Sequence, residues 1–419
     1  MPGEAIAAEI VHRHTCRVCD SSELEPILSL GPTPLANAFL RSPDEFAAER
    51  WYPLDLYCCG LCGLLQLLDV VNPEVLFRHY LYVTGTSTTQ AAHNRRYAES
   101  LVARLGLGER DLVAEVASND GSLLRCFAAH GIRTLGIEPA QNLAAESAAS
   151  GVETVSEFFT FDLARRLRAD HGPARAVVAN NVLAHVDDPR GFLAGCRELL
   201  AADGLIAVEM PYVGDLVESV EYDTVYHEHL SYFSIASLLR LAEAVNLSAA
   251  GLERLPVHGG SLRLYLSPSA GGHAPEVRAL EAEERRAGLA SAERYRQFAA
   301  DVEESRKALV DVLERLAAEG REVAGYGAPA KGNTLLNFCR IDTRLLRYTV
   351  DKNPRKVGLF TPGAHLPVRD VSALSAAETK PDYLLILAWN LAEEIMQQQR
   401  AYRDRGGRFI IPVPRARVI

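Results

Sequence analysis

The sequence predicts an α/β chain in three parts: a small cysteine-rich module over residues 1–78 and two Rossmann-like domains over 79–250 and 251–419. Three observations predict it. Two CxxC pairs stand within the first 62 residues, an apolar strand–turn–helix–strand unit begins near residue 112, and a second begins near residue 322. A length of 419 residues exceeds what one hydrophobic core serves, and 48% hydrophobic with 23% charged residues is ordinary globular content. The net charge of −10 argues against a nucleic-acid partner, because displacing phosphate counterions needs a basic surface. No apolar run approaches the roughly 20 residues of a membrane helix, and Met1 to Arg13 lacks a basic-then-apolar leader. The expectation is a cytoplasmic protein with no membrane partner, acting as a monomer or weak homo-oligomer.

Five of the eight cysteines fall between residues 16 and 62, as Cys16-Arg17-Val18-Cys19 and Cys58-Cys59-Gly60-Leu61-Cys62. In a large chain without a leader, reduced thiolates holding a metal fit better than disulfides. Two CxxC knuckles make a closed tetrahedral zinc site, expected at Cys16, Cys19, Cys59 and Cys62, with Cys58 surplus. A redox CxxC is the alternative, but it needs one pair and usually opens a helix. Four protein ligands leave no position for substrate, so the zinc is expected to be structural, fixing a segment too small to build its own core.

Residues 79–110 carry helix-like spacing at Ala91, Tyr97, Leu101 and Leu105, and lead into the strand Leu112–Val116. The turn Ala117-Ser118-Asn119-Asp120-Gly121-Ser122 follows, then a helix over Leu123–His130 and a strand Thr134–Ile137 ending at Glu138. Small residues let the backbone approach a ligand, and Glu138 is spaced to accept ribose hydroxyls. No G-x-G-x-x-G is present, and Asn119-Asp120 puts a carboxylate where a dinucleotide's pyrophosphate would lie. S-adenosylmethionine, which has no phosphate and carries cationic sulfonium and ammonium groups, fits this turn better than NAD. A later strand, Ala176–Ala179, ends in Asn180-Asn181 and leads to His185, with Asp188 as N-cap and Pro189 opening the next helix. Ligands in doubly wound sheets sit beyond the carboxyl ends of strands, so Asn180, Asn181 and His185 are expected at the donor crevice.

Tyr226-His227-Glu228-His229 is the densest chemical cluster. Histidine is suited to proton transfer near neutral pH, and a neighbouring carboxylate can orient it. A satisfied polar patch or a second metal site through His227 and His229 are the other readings. Further along, an amphipathic helix is expected from about Ser291 to Glu319, stopped by Gly320, followed by the strand Glu322–Tyr326 and the turn Gly327-Ala328-Pro329-Ala330-Lys331-Gly332-Asn333. A helix from Thr334 and a strand Leu346–Val350 ending at Asp351 complete a second βαβ unit. Exposed backbone N–H groups with Lys331 suit a nucleoside diphosphate, and Asp351 repeats the ribose position. Lys352, Arg355 and Lys356 are further cations, and the strand Tyr383–Ala388 delivers Trp389 and Asn390 to the same edge.

Glu115–Leu124 (EVASNDGSLL), Asn180–His185, Tyr226–His229 (YHEH), Val257–Arg263 (VHGGSLR) and Gly325–Leu336 (GYGAPAKGNTLL) together resemble the nucleotide-sugar C-methyltransferase family, which includes deoxysugar C-3-methyltransferases of antibiotic pathways. The resemblance covers nearly the whole chain. It implies a zinc-binding N-terminal module, a central Rossmann-like S-adenosylmethionine methyltransferase domain and a C-terminal Rossmann-like sugar-nucleotide domain. It implies a dTDP-linked keto-sugar substrate, His229 as base, and Tyr226, Glu228 and His185 around the reacting sugar, where a phenol or an imidazolium would stabilise the enolate oxygen. For the donor it implies Tyr82, Ala117, Ser118, Asn119, Asp120, Gly121, Glu138, Pro139, Asn180 and Asn181. For the sugar nucleotide it implies His258, Lys331, Asn333, Asp351, Lys352, Lys356, Trp389 and Asn390. Ala117 departs from the glycine common in the family. Transfer to oxygen or nitrogen, transfer to C-5, and nucleotide binding without turnover stay open at this point.

Overall fold

The structure, a computed structural model, describes residues 9–78, 83, 88–257, 259–268, 271–375 and 380–419; Tyr82 and His258 lie outside them. The N-terminal module contains β1 (Ile10–His12), β2 (Leu24–Ser29), β3 (Asp55–Cys59), β4 (Leu65–Leu67), β5 (Asp69–Val71) and the short helix α1 (Pro73–Phe77). Strands β2, β3 and β4 form an antiparallel meander, while β1 pairs with β5. The β3–β4 hairpin presents Cys59 and Cys62, and the turn after β1 presents Cys16 and Cys19.

The central domain opens with α2 (Thr88–Leu105), shorter than the helix expected over 79–110: residues 106–110 form a turn, and most of 79–87 lies outside the described residues. The elements β6 (Leu112–Val116), α3 (Ser122–Ala128), β7 (Arg133–Ile137), α4 (Gln141–Ala149), β8 (Thr154–Val155), α5 (Phe161–His171), β9 (Ala174–Asn180), α6 (Pro189–Leu199) and β10 (Leu200–Pro211) then alternate strand with helix. Such alternation, with strands apolar on both faces, builds a covered parallel sheet. Asp188 caps α6 as expected, its Oδ1 accepting from Gly191 N at 2.9 Å. Between Leu200 and Leu205 the pairing of β10 with β9 shifts register.

After α7 (Val213–Glu218), β11 (Ser231–Tyr232) leaves the domain and adds to β4 of the N-terminal sheet. Then α8 (Ile235–Ala244), β12 (Ser248–Leu255) and β13 (Ser261–Ser267) close the central sheet in the order β12-β13-β10-β9-β6-β7-β8. This is the doubly wound 3-2-1-4-5 order with β13 set antiparallel beside the fifth strand. The boundary placed at residue 250 falls within β12, and the sheet ends only at Ser267. A buried network holds that hairpin: Arg263 donates to Glu209 through Nε at 3.0 Å and Nη2 at 2.6 Å, and His93 Nε2 lies 3.0 Å from Glu209 Oε1. Arg263 of the VHGGSLR motif therefore serves the sheet.

The C-terminal part begins with α9 (Pro275–Arg286) and α10 (Ala292–Ala318), the latter within a residue of its expected bounds and capped by Ser291. Tyr295, Phe298, Val302, Leu309, Leu313 and Leu316 on its stripe are buried. Then β14 (Val323–Tyr326), α11 (Ala330–Phe338), β15 (Thr349–Asp351), β16 (Val368–Asp370), β17 (Tyr383–Ile386), α12 (Ala392–Gln398), α13 (Arg400–Asp404), β18 (Arg408–Ile411) and β19 (Arg417–Val418) build a second sheet, ordered β16-β15-β14-β17-β18-β19 and parallel except at β19. Because α11 starts at Ala330, Lys331 and Asn333 occupy its first turn rather than the loop expected to run through Asn333.

The N-terminal module has two apolar faces. Leu28, Leu56, Cys58 and Leu65 join α10 and the C-terminal sheet in one core, while Cys16, Val18 and Leu64 join the core of the central domain. A segment too small to bury itself thus borrows both neighbours, and binds them together.

Candidate active site and metal centre

The Sγ atoms of Cys16, Cys19, Cys59 and Cys62 all lie within 4.8 Å of one another, with Cys16–Cys62 and Cys19–Cys59 each at 3.5 Å. Tetrahedral zinc with Zn–S bonds of about 2.3 Å requires sulfurs about 3.8 Å apart, so the four thiolates fit the ion. Cys58 stays outside: its Sγ donates to the carbonyl of Cys59 at 3.6 Å, and burial pushes its thiol up to about 12. Among the described residues no second cluster of metal-ligating side chains forms.

The crevice expected for the donor opens at the switch point between β6 and β9. In the turn after β6, Ala117 and Asn119 adopt left-handed φ values of 57° and 52°. Glu138, at the end of β7, accepts from Asn119 N through Oε2 and from Ala140 N through Oε1, both at 2.8 Å. Burial raises the Glu138 carboxyl, and raises that of Glu115 on β6 far more, with Asp120 and Glu138 nearby adding to it. Asp120 Oδ1 accepts from Ser122 N at 3.2 Å, and Asn181, at φ 52°, donates its N–H to Glu209 O at 2.7 Å. Glu115 Oε2, Ser118 Oγ and Asn180 Oδ1 are buried with no hydrogen-bond partner. Orphaned oxygens and carboxylates at one crevice fit a ligand that is cationic and rich in donors, as S-adenosylmethionine is.

The Tyr226–His229 cluster lies between the central domain and the N-terminal module. Leu230, next to His229, donates its N–H to Ala184 O at 2.7 Å, which ties the segment to the loop carrying His185. His229 Nδ1 is 2.9 Å from the carbonyl oxygen of Thr224, an acceptor only, so the proton sits on Nδ1. Nε2 is then a lone pair, and it faces the Tyr226 hydroxyl at 2.8 Å. The His185 ring is 4.9 Å from that of His229. Burial lowers His185 to about 4, which favours its neutral imidazole form. His227 departs from the cluster, with Nε2 3.0 Å from Pro53 O. Glu228 faces the N-terminal module, accepting from Asn37 Nδ2 at 2.7 Å.

At the second turn, Asp351 Oδ2 accepts from Ala328 N at 2.7 Å and Lys356 Nζ donates to Ala328 O at 2.7 Å. Lys331 Nζ sits 4.4 Å over the Trp389 ring and donates to Asn390 Oδ1 at 3.1 Å, which gathers three expected residues. Lys352 turns outward to Gln398, and Asn333 Nδ2 reaches Ala36 O at 2.7 Å. Sequence reasoning missed Asp223, which accepts from Trp389 Nε1 at 2.6 Å and faces Lys331, with burial pushing it up to about 6. It also missed Arg17, wholly buried between two cysteines and donating to Leu230 O at 2.7 Å. Neither carries a local signal, since each acts on a residue more than 150 positions away.

The C-methyltransferase NovU of Streptomyces niveus is 39% identical over 406 residues, covering 96% of each chain. The chain belongs to the C-methyltransferase family. Residues 256–414 match the C-methyltransferase C-terminal domain, residues 91–250 a methyltransferase domain, and residues 16–77 a family described as "Putative zinc binding domain", which spans all four cysteines. This chain is an S-adenosylmethionine-dependent C-methyltransferase with a zinc-binding module. Among solved structures, magnesium protoporphyrin IX methyltransferase (ChlM) of Synechocystis PCC 6803 with bound SAM is 15% identical, covers 45% of this chain and 88% of its own, and has a TM-score of 0.34. The PH0226 protein of Pyrococcus horikoshii OT3 is 12% identical, covers 47% and 98%, and has a TM-score of 0.37. Among the described residues of the C-methyltransferase, no helix is long and apolar enough to cross a membrane.

Proposed function

We propose that this C-methyltransferase methylates C-3 of a dTDP-linked 4-keto-deoxysugar, in the making of a deoxysugar for an antibiotic, with His229 as the base. One observation carries the reading: Thr224 O fixes the Nδ1–H tautomer of His229, which leaves Nε2 basic beside Tyr226. A C-4 ketone acidifies the neighbouring C–H. His229 Nε2 takes that proton, the C–H electron pair becomes the enolate, and the charge gathers on the ketone oxygen. The Tyr226 hydroxyl and the neutral His185 ring are the donors suited to that oxygen. S-adenosylmethionine supplies the methyl group to the nucleophilic carbon. Glu115, Ser118, Glu138 and Asn180 hold the donor, while Lys331, Lys356, Asp351, Trp389 and Asn390 hold the nucleotide. In this reading residues 1–78 join the parts, 79–250 hold the donor and 251–419 the sugar nucleotide. The C-methyltransferase name of the Streptomyces relative supports carbon over oxygen or nitrogen as the acceptor.

The test is mass spectrometry and NMR of the product formed from S-adenosylmethionine and dTDP-4-keto-6-deoxy sugars in deuterated water. A methyl carbon at C-3, with deuterium exchange there in unreacted sugar, is expected. A methyl carbon at C-5 moves the acceptor but keeps the base, and an O-methyl product overturns the enolate route.

A further inference from the structure

The cysteine-rich module does more than join its neighbours. Between β2 and β3 it sends out a segment, residues 33–49, which runs between the reacting cluster and the second turn. Three contacts fix that segment from the C-terminal side. Ala36 O accepts from Asn333 Nδ2 at 2.7 Å, Leu40 and Phe360 exchange backbone hydrogen bonds of 3.0 and 2.8 Å, and the Glu49 carboxylate accepts from Gly363 N and meets His365 Nε2, both at 2.9 Å. The Phe39 ring lies 5.1 Å from the Lys356 ammonium. Within this fixed stretch, Asn37 projects the other way, its Nδ2 donating to Glu228 Oε1 at 2.7 Å across 191 residues of sequence.

We infer that Asn37 is a positioning residue of the reacting-sugar site, acting through Glu228. Glu228 is 3% exposed, one residue before His229 in the chain, and a buried carboxylate must be held by donors to stay in place. The Asn37 amide is a neutral donor that holds one carboxylate oxygen, while the Lys356 ammonium lies close enough to feel the Glu228 charge. A lysine or arginine there would neutralise it. The arrangement keeps Glu228 as an oriented acceptor for a hydroxyl or amine of the bound sugar. A module that only stapled the fold would need its two apolar faces and its metal, not a polar side chain carried to this carboxylate. The inference rests on the sugar-nucleotide reading above and assigns part of that site to the N-terminal module.

The test is a double-mutant cycle on the zinc-loaded enzyme with Asn37→Ala, Glu228→Gln and the pair. Losing a hydrogen bond to a charged group predicts a fall of about 10- to 100-fold in kcat/KM for the sugar nucleotide in each single variant. The pair is expected to fall no further than the worse single, because both remove one interaction. Asn37→Asp, which sets carboxylate against carboxylate, should fall below Asn37→Ala. Zinc content and S-adenosylmethionine affinity should not move. In Asn37→Ala, amide hydrogen exchange in residues 224–230 should rise, a measurement that needs no sugar. Additive losses, a lowered zinc content, or unchanged exchange would overturn the inference. If the wild type methylates no keto-sugar nucleotide, only the substrate reading fails, and the exchange measurement decides the contact by itself.

Discussion

The two βαβ turns of this chain use the same backbone device and differ in the charged groups around it. After β6, Glu138 from the neighbouring strand accepts the N–H of Asn119 at 2.8 Å; after β14, Asp351 accepts the N–H of Ala328 at 2.7 Å. In both, an acidic residue ending the second strand ties down the first turn. Around the first stand Glu115, Asp120 and orphaned oxygens on Ser118 and Asn180; around the second stand Lys331 and Lys356, with Asp223 and Glu221 facing Lys331. The device places a ligand, and the residues just beyond it decide the ligand's sign. One crevice suits a sulfonium and an ammonium, the other a diphosphate.

The sharpest test of that division lies between the crevices. Removing the base in His229→Ala should lower kcat by about 10²- to 10⁴-fold, the usual worth of general-base catalysis. Dissociation constants for S-adenosylmethionine and the sugar nucleotide, measured by calorimetry, should stay put. If either collapses, His229 belongs to a binding site and the two crevices are not separable.

The next test removes a charge from one side. Lys331→Met should weaken sugar-nucleotide binding by about 10- to 100-fold, the worth of one charge-assisted hydrogen bond, and reduce its salt sensitivity, while donor affinity stays fixed. Asp223 and Glu221 face Lys331, but burial raises both carboxyls, which weakens their balance of the lysine's charge before any anion arrives. An effect on the donor instead would break the comparison.

Acid should separate the turns as well. Burial raises the Glu138 carboxyl, whereas its ionised form is the one that accepts the Asn119 N–H and can accept ribose hydroxyls. The contribution of that form is present above the raised value and is lost as pH falls through it. Donor affinity should therefore weaken on acidification, while Glu138→Gln should be about 10-fold weaker at neutral pH and lose the pH dependence, as a titration by calorimetry would read. A donor affinity flat with pH in the wild type would remove Glu138 from the donor site.

The sequence made legible what depends on neighbours in the chain. The CxxC spacing, the alternation of strand and helix, the Asp188 cap and the stripe of α10 are local patterns, and each element formed within a few residues of where its pattern put it. The acid at the end of each second strand was legible for the same reason. What was not legible depends on distant encounters. Asn37 meets Glu228, Arg17 meets Leu230 and Trp389 meets Asp223 across more than 150 residues, and no periodicity encodes such meetings. The charge state of His185 was also hidden, because a sequence does not display burial. The pairing of the β12–β13 hairpin with β10 was hidden for a related reason: the hairpin reads like the start of something new, and only that pairing makes it the close of the central sheet.

The smallest expected effect concerns the backbone that the two turns share. Gly327 takes φ 88° without strain, but Ala117 takes φ 57° with a side chain attached. A left-handed non-glycine residue costs about 1–2 kcal/mol, and glycine's looser unfolded chain returns about 0.4–1 kcal/mol of that, so Ala117→Gly should stabilise by roughly 0.5–1 kcal/mol in denaturant unfolding. The reciprocal Gly327→Ala should destabilise by a similar amount, since its new Cβ would stand 3.2 Å from Ala388 Cβ and 3.3 Å from Pro329 Cδ. Donor affinity should follow only the first change and sugar-nucleotide affinity only the second. If Ala117→Gly weakens the donor instead, the Ala117 methyl is a contact surface for the ligand, and the strain at this turn is retained for binding.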